Sequence, residues 1–206
     1  LNELLILGKK ALGCPVEIEF AVNIFQENNI PAEFYLLQIK PMVLTTTKII
    51  SFDKIKKEEV FAQSHITLGN GTTDNIKNLL YLRPDKYDPS QSKKIAKEIE
   101  KFNASISMKD KYILAGPGRW GSADPWLGVP LNWQQISNAK FIIEIGHKSF
   151  PVDPSFGSHF FQNLTSFHIG YLTIDNKNKN DFINDNWLIN YNVKEEGQYV
   201  EWYQFN

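Results

Sequence analysis

Val16, Ile18, Phe20 and Val22 alternate with Glu17 and Glu19 along VEIEFAV. Only an extended strand collects such a set on one face, because side-chain direction reverses at every residue. Residues 33–40 (EFYLLQIK) repeat the period, with Tyr35, Leu37 and Ile39 on one face and Phe34, Leu36, Gln38 and Lys40 on the other. Between them lie Asn28, Asn29 and Pro31, all turn formers. The pattern predicts a β-hairpin or meander with a long loop. Its polar face would carry Glu19, Gln38 and Lys40.

Further along, residues 76–82 (IKNLLYL) predict a strand that ends at Arg83-Pro84. Residues 90–103 predict a helix, with Ile95, Ile99 and Phe102 at helical spacing and Ser90 or Ser92 as its cap. A strand at 111–115 runs into the glycine-rich GPGRWG. A short helix at 132–139, a buried strand at 140–145, a helix at 158–167 and a strand at 168–174 follow. Residues 175–186, rich in Asn, Asp and Lys, read as a loop. Residues 187–193 and 199–205 alternate around Glu195-Glu196-Gly197-Gln198 and predict a second hairpin. The fold class expected is α/β (α+β): a β-rich leading segment, a layered β/α unit and a C-terminal hairpin. The boundaries expected are 1–47, a linker at 48–60, 61–175, and 176–206.

Composition narrows the function. The net charge of −1 over 206 residues gives no overall field to draw in nucleic acid or an anionic membrane. No apolar run approaches the roughly 18–20 residues that span a bilayer. Cys14 is the only cysteine, so an internal disulfide is excluded and a reducing, cytoplasmic setting is expected. Four scattered histidines beside one cysteine do not form a zinc pattern. No Gly-x-Ser-x-Gly elbow supports a separate hydrolase.

Gly13-Cys14-Pro15, then Glu17-Ile18-Glu19-Phe20-Ala21, then Tyr35-Leu36-Leu37-Gln38-Ile39-Lys40-Pro41 resemble one family. It is the closing part of the ATP-grasp domain in phosphoenolpyruvate synthase and pyruvate phosphate dikinase. The resemblance implies ATP and Mg2+ as ligands, with Glu19 as the magnesium and triphosphate carboxylate. It implies Gln38 orienting a phosphate, and Lys40 standing where the family usually has arginine. Lysine keeps the charge but loses the bidentate fork. The family's glycine-rich phosphate lid and nucleotide lysine lie upstream of this segment. The chain is therefore expected to be the later part of a larger ATP-dependent phosphotransferase, inactive alone, with pyruvate or phosphoenolpyruvate handled through the parent chain.

In that family a swivelling domain follows and carries a phosphorylated histidine. Gly157-Ser158-His159-Phe160-Phe161, with Ile169-Gly170 ten residues after the histidine, resembles its signature. Two phenylalanines replace the family's small Ala-Ala pair, and Ile-Gly replaces Gly-Ile-Pro. His159 would take the phosphoryl group at a helix N-terminus, where free N–H groups and the helix dipole favour it. The other candidate for that role is plain capping or core filling. In GPGRWGSADPWLGVP, glycines 116, 118 and 121 would free backbone N–H groups and Arg119 would add a planar charged fork. Gly116, Gly118 and Arg119 are thus candidates to hold a phosphate or carboxylate. Trp120 and Trp126 would flank a planar group or cover the core. The readings that follow are a phosphotransferase fragment relaying phosphate through His159, or a non-catalytic module that keeps nucleotide or phospho-ligand binding without the transfer.

Overall fold

The computed structural model describes residues 1–25, 30–42, 55–69, 71–146, 164, 167 and 169–205. They fall into two compact units, Leu1–Lys48 and Ile49–Asn206.

In the first unit, helix α1 (Asn2–Leu12) ends at Gly13, whose φ of 70° makes the left-handed turn that glycine adopts without penalty. Strands β1 (Val16–Asn23) and β2 (Glu33–Pro41) then pair antiparallel. The register holds Glu19 opposite Gln38 but Phe20 opposite Leu36, so Leu37 is an extra, bulged residue. One added residue reverses the facing of everything beyond it. Phe34 and Leu36 therefore join Val16, Ile18, Phe20, Val22 and Ile39 on the apolar face, and Tyr35 moves to the polar one. Strict alternation assigned these three to the opposite faces. Phe20 stacks on Phe34 at 5.1 Å, and Tyr35 donates to Glu33 at 2.6 Å, as this facing requires. Helix α1 covers the near end of the apolar face, where Gly8 lies against Val16 and Ile39.

The second unit opens with two short strands, β3 (Ala62–Gln63) and β4 (Ile66–Leu68). Strand β5 (Asn78–Leu82) is buried throughout. Helix α2 (Ser92–Ser105) follows a 3-10 turn at Pro89–Gln91. Asp88 caps that turn by accepting from the Ser90 N–H, so neither serine caps the helix. Ile95, Ile99 and Phe102 do point into the core, as their spacing predicts. Strand β6 (Tyr112–Pro117) leads into the small parallel pair β7 (Arg119–Trp120) and β8 (Gly128–Val129). The short helix at 132–139 is a 3-10 turn, Trp133–Ile136, closed by a reciprocal Asn132–Gln135 capping box. Strand β9 (Ala139–Ile145) and strand β10 (Gly170–Ile174) come next. The helix predicted at 158–167, with its His159, lies outside the described residues apart from Leu164, which is buried, and Phe167.

Residues 175–186 hold strand β11 (Phe182–Ile183) and the start of helix α3 (Asp185–Leu188). The chain ends in β12 (Val193–Glu196) and β13 (Val200–Gln204). The final hairpin thus forms, but its first strand is Val193–Glu196 instead of the predicted 187–193, where helix α3 ends and a turn follows. Trp187 and Tyr191 instead stack with each other at 4.5 Å and against Phe205.

One seven-stranded sheet organises this unit, in the order β12-β13-β5-β6-β9-β10-β4. Its middle four strands, β5, β6, β9 and β10, run parallel, and the flanking β13 and β4 run antiparallel to their neighbours. Burial follows the strand period. Leu80, Leu82, Leu114 and Ile142 face α2, Trp120 and Leu164; Leu79, Tyr81, Ala115, Ile143 and Ile145 face Phe61, Trp187 and Leu188. Both faces are covered, as a parallel sheet requires. The terminal hairpin belongs to the sheet: β13 pairs with β5, and Trp202 donates to the buried Asn78 side chain at 2.9 Å. The model is a mixed α/β fold. Among the described residues no helix is long and apolar enough to cross a membrane.

Candidate functional site

On the hairpin, antiparallel pairing puts Glu19 directly across from Gln38 and Glu17 across from Lys40. The four side chains share one face because 17 and 19, like 38 and 40, are two residues apart on the same side of the bulge. Glu19 and Gln38 are exposed. Lys40 Nζ sits 3.3 Å from Glu17, a half-exposed ion pair contributing about 0–1 kcal/mol. The ammonium is thus held on this face by Glu17. Farther out, hydrogen bonds from Tyr35 and then Asn23 hold the Glu33 carboxyl below its ordinary range, against a small opposing effect of burial.

Magnesium takes oxygen ligands, and beside a nucleotide it needs only one or two protein carboxylates with phosphates and water. The Glu17 and Glu19 carboxylates supply that donor type from one rigid strand. Among the described residues no group of three or more His, Cys, Asp or Glu side chains could hold a metal ion unaided. Glu17, one of the two carboxylates, is paired with Lys40.

The glycine-rich turn after β6 has a different economy from the one its sequence suggests. Gly118 donates to the Ile145 carbonyl at 3.1 Å, Arg119 to Leu127 at 2.8 Å, and Gly121 to Val129 at 2.8 Å. The Trp120 N–H donates to Glu144 Oε1 at 3.0 Å. These N–H groups are used within the protein and do not converge on an open cradle. The glycines serve close packing instead. Gly118 has φ +81°, and a Cβ on Gly128 would lie 1.9 Å from the Arg119 oxygen. Trp120 is core, 1% exposed, with Nε1 donating to Ile143 at 3.1 Å, whereas Trp126 is exposed. Arg119 is half-buried at the rim of the turn.

Two acids missed in the sequence emerge here. Glu144 is fully buried in β9 and accepts from Trp120 and from the Tyr171 hydroxyl at 2.5 Å, while Thr173 donates to the Tyr171 oxygen at 2.9 Å. Its one signal was a lone acid inside the apolar run KFIIEI. Asp181, also buried, lies 2.7 Å from His65 Nδ1. His65 had no local context, because its partner is 116 residues away. His147, His159 and His168 lie outside the described residues.

No family model, no curated protein and no solved structure matches this chain.

Proposed function

We propose that this chain is part of an ATP-dependent phosphotransferase resembling phosphoenolpyruvate synthase and pyruvate phosphate dikinase, and that the β1–β2 hairpin is one wall of its nucleotide site. The observation that carries this reading is the register: it sets Glu19 against Gln38, and Glu17 against Lys40, on a single polar face. Phosphoryl transfer asks a protein mainly for positioned charge. In this reading Glu19 would be the residue that holds a magnesium ion, Gln38 would donate its amide N–H to a phosphate, and Lys40 would leave Glu17 to neutralise phosphate charge. A magnesium ion, when bound, would supply further charge neutralisation there. His159 is the proposed relay, with pyruvate or phosphoenolpyruvate as the downstream carbon compound.

A second reading is favoured by the turn at 116–121, whose N–H groups are already used. It is a module that binds a nucleotide or phospho-ligand through the hairpin and performs no transfer. Calorimetry of magnesium-ATP binding to the full-length parent protein tests the shared core of both readings. Glu19→Gln should abolish or strongly weaken binding; unchanged affinity would remove the hairpin from the site. Labelling with ATP carrying labelled β-phosphate then separates the two. Acid-labile, base-stable protein label that His159→Asn eliminates supports the transferase, and binding without label supports the module.

A further inference from the structure

We propose that Tyr35 is the base platform of the nucleotide site: its ring stacks on the ATP base, one cross-strand pair away from the residues that meet the phosphates. The inference rests on the hairpin reading above and extends it to the nucleoside end of the ligand. It comes from the register. Because Leu37 is bulged, Tyr35 stands opposite Ala21 and faces the same way as Glu17, Glu19, Gln38 and Lys40. The polar face therefore runs, pair by pair, Glu17–Lys40, Glu19–Gln38, Ala21–Tyr35 and Asn23–Glu33. Without the bulge, Tyr35 would lie on the apolar face.

The ring is both held and open. Its hydroxyl donates to Glu33 at 2.6 Å, and Glu33 also accepts from Asn23 on the facing strand at 3.3 Å. These bonds lean the ring along β2 toward Glu33. Tyr35 is nonetheless 46% exposed. Across the pair, Ala21 offers one methyl group and no long side chain to cover the ring. Among the described residues no second ring stacks on Tyr35, whereas Phe20 and Phe34 on the opposite face stack on each other. A tyrosine tied at its hydroxyl loses little further freedom on binding, and any base presents a π-face to it. The order along the face fits a nucleotide. Two residues of strand, roughly 7 Å, separate the Ala21–Tyr35 pair from the Glu19–Gln38 pair, a spacing that a ribose would bridge. Lys40 is the one cation on this face and lies two pairs from Tyr35, while the Glu33 carboxylate lies at the far end. Phosphate is repelled by Glu33 and drawn to Lys40, so the uncharged base is left to Tyr35. A tyrosine that merely suits an exposed strand would not distinguish a nucleotide from its bare phosphate chain.

Calorimetry on the full-length protein decides this, with magnesium-ATP and with magnesium tripolyphosphate, which lacks the nucleoside. Tyr35→Ala should weaken ATP binding on the order of tenfold and leave tripolyphosphate binding unchanged. Tyr35→Phe keeps the ring and should retain most of the ATP affinity. Unchanged ATP binding by Tyr35→Ala, or equal weakening of both ligands, overturns the proposal. Glu19→Gln separates this inference from the reading beneath it. If Glu19→Gln weakens ATP binding and Tyr35→Ala does not, the hairpin stays in the site and the base platform is wrong. If the wild type binds no ATP, or neither substitution has an effect, the hairpin reading fails and the platform fails with it.

Discussion

Glu144 shows how one residue can organise a turn. A carboxylate without solvent access stands in β9 because the Trp120 N–H and the Tyr171 hydroxyl both donate to it. Replacing it by alanine removes the acceptor that both donors use, at about 1–3 kcal/mol each. Glu144→Ala should therefore lower unfolding free energy by roughly 3 kcal/mol, while Tyr171→Phe should lower it by about 1 kcal/mol; urea denaturation measures both. Gly128→Ala tests close packing at the same turn. Its Cβ would collide with the Arg119 backbone, and a loss of about 3 kcal/mol is expected, at the upper end for overpacking. Asp181 makes a prediction about pH. Burial alone would raise its carboxyl, but hydrogen bonds from the Asp175 N–H and from His65 outweigh it and hold it below the ordinary 3.8. A depressed carboxyl adds stability above its unfolded value, and that stability disappears as pH falls through the lower folded value. Thermal melts from neutral pH down past 3.8 should thus show a steeper decline in the wild type than in Asp181→Asn.

Among the elements, the hairpin is the most instructive. Its strands were readable because apolar and polar residues alternate over more than one turn of the pleat. The bulge was not readable, since Leu37 looks like any other apolar strand residue and is expelled only by the pairing of two strands. Deleting Leu37 should restore regular alternation and keep Phe34 and Leu36 on the apolar face, opposite Val22 and Phe20. Hydrogen–deuterium exchange should then show protection over 33–36 kept or raised, whereas loss of protection there would mean that Leu37 is not the extra residue. Helix α2 was legible for a related reason: Ile95, Ile99 and Phe102 recur at the helical period and all reach the core. Its cap was misread because Pro89 starts a 3-10 turn earlier and gives the capping role to Asp88. Alternation misled at 187–193, where Trp187 gains more by stacking among Phe61, Tyr191 and Phe205 than by lying in a strand.

For the molecule as a whole, the seven-stranded sheet joins distant parts of the chain. Strand β13 borders β5, and the Trp202–Asn78 hydrogen bond spans 124 residues. Removing residues 193–206 would expose one edge of β5, strip Val200, Trp202 and Tyr203 from the core, and leave Asn78 buried without its partner. The truncated chain is expected to lose cooperative thermal unfolding, as followed by circular dichroism, where trimming a solvent-facing appendage would leave the transition intact. What the amino-acid order determined alone was local: the strands of the leading hairpin and of β5, β6, β9 and β10, the apolar stripe of α2, and which polar residue types lie on the leading hairpin. Periodicity and turn chemistry act within a few residues, so they can be read without knowing the neighbours. Tertiary structure alone decided strand order, the bulge that re-faces β2, the use of the 116–121 N–H groups, and the meetings of Glu144 with Trp120 and of His65 with Asp181. Each depends on contacts between residues far apart in the chain, and short-range patterning carries no record of those.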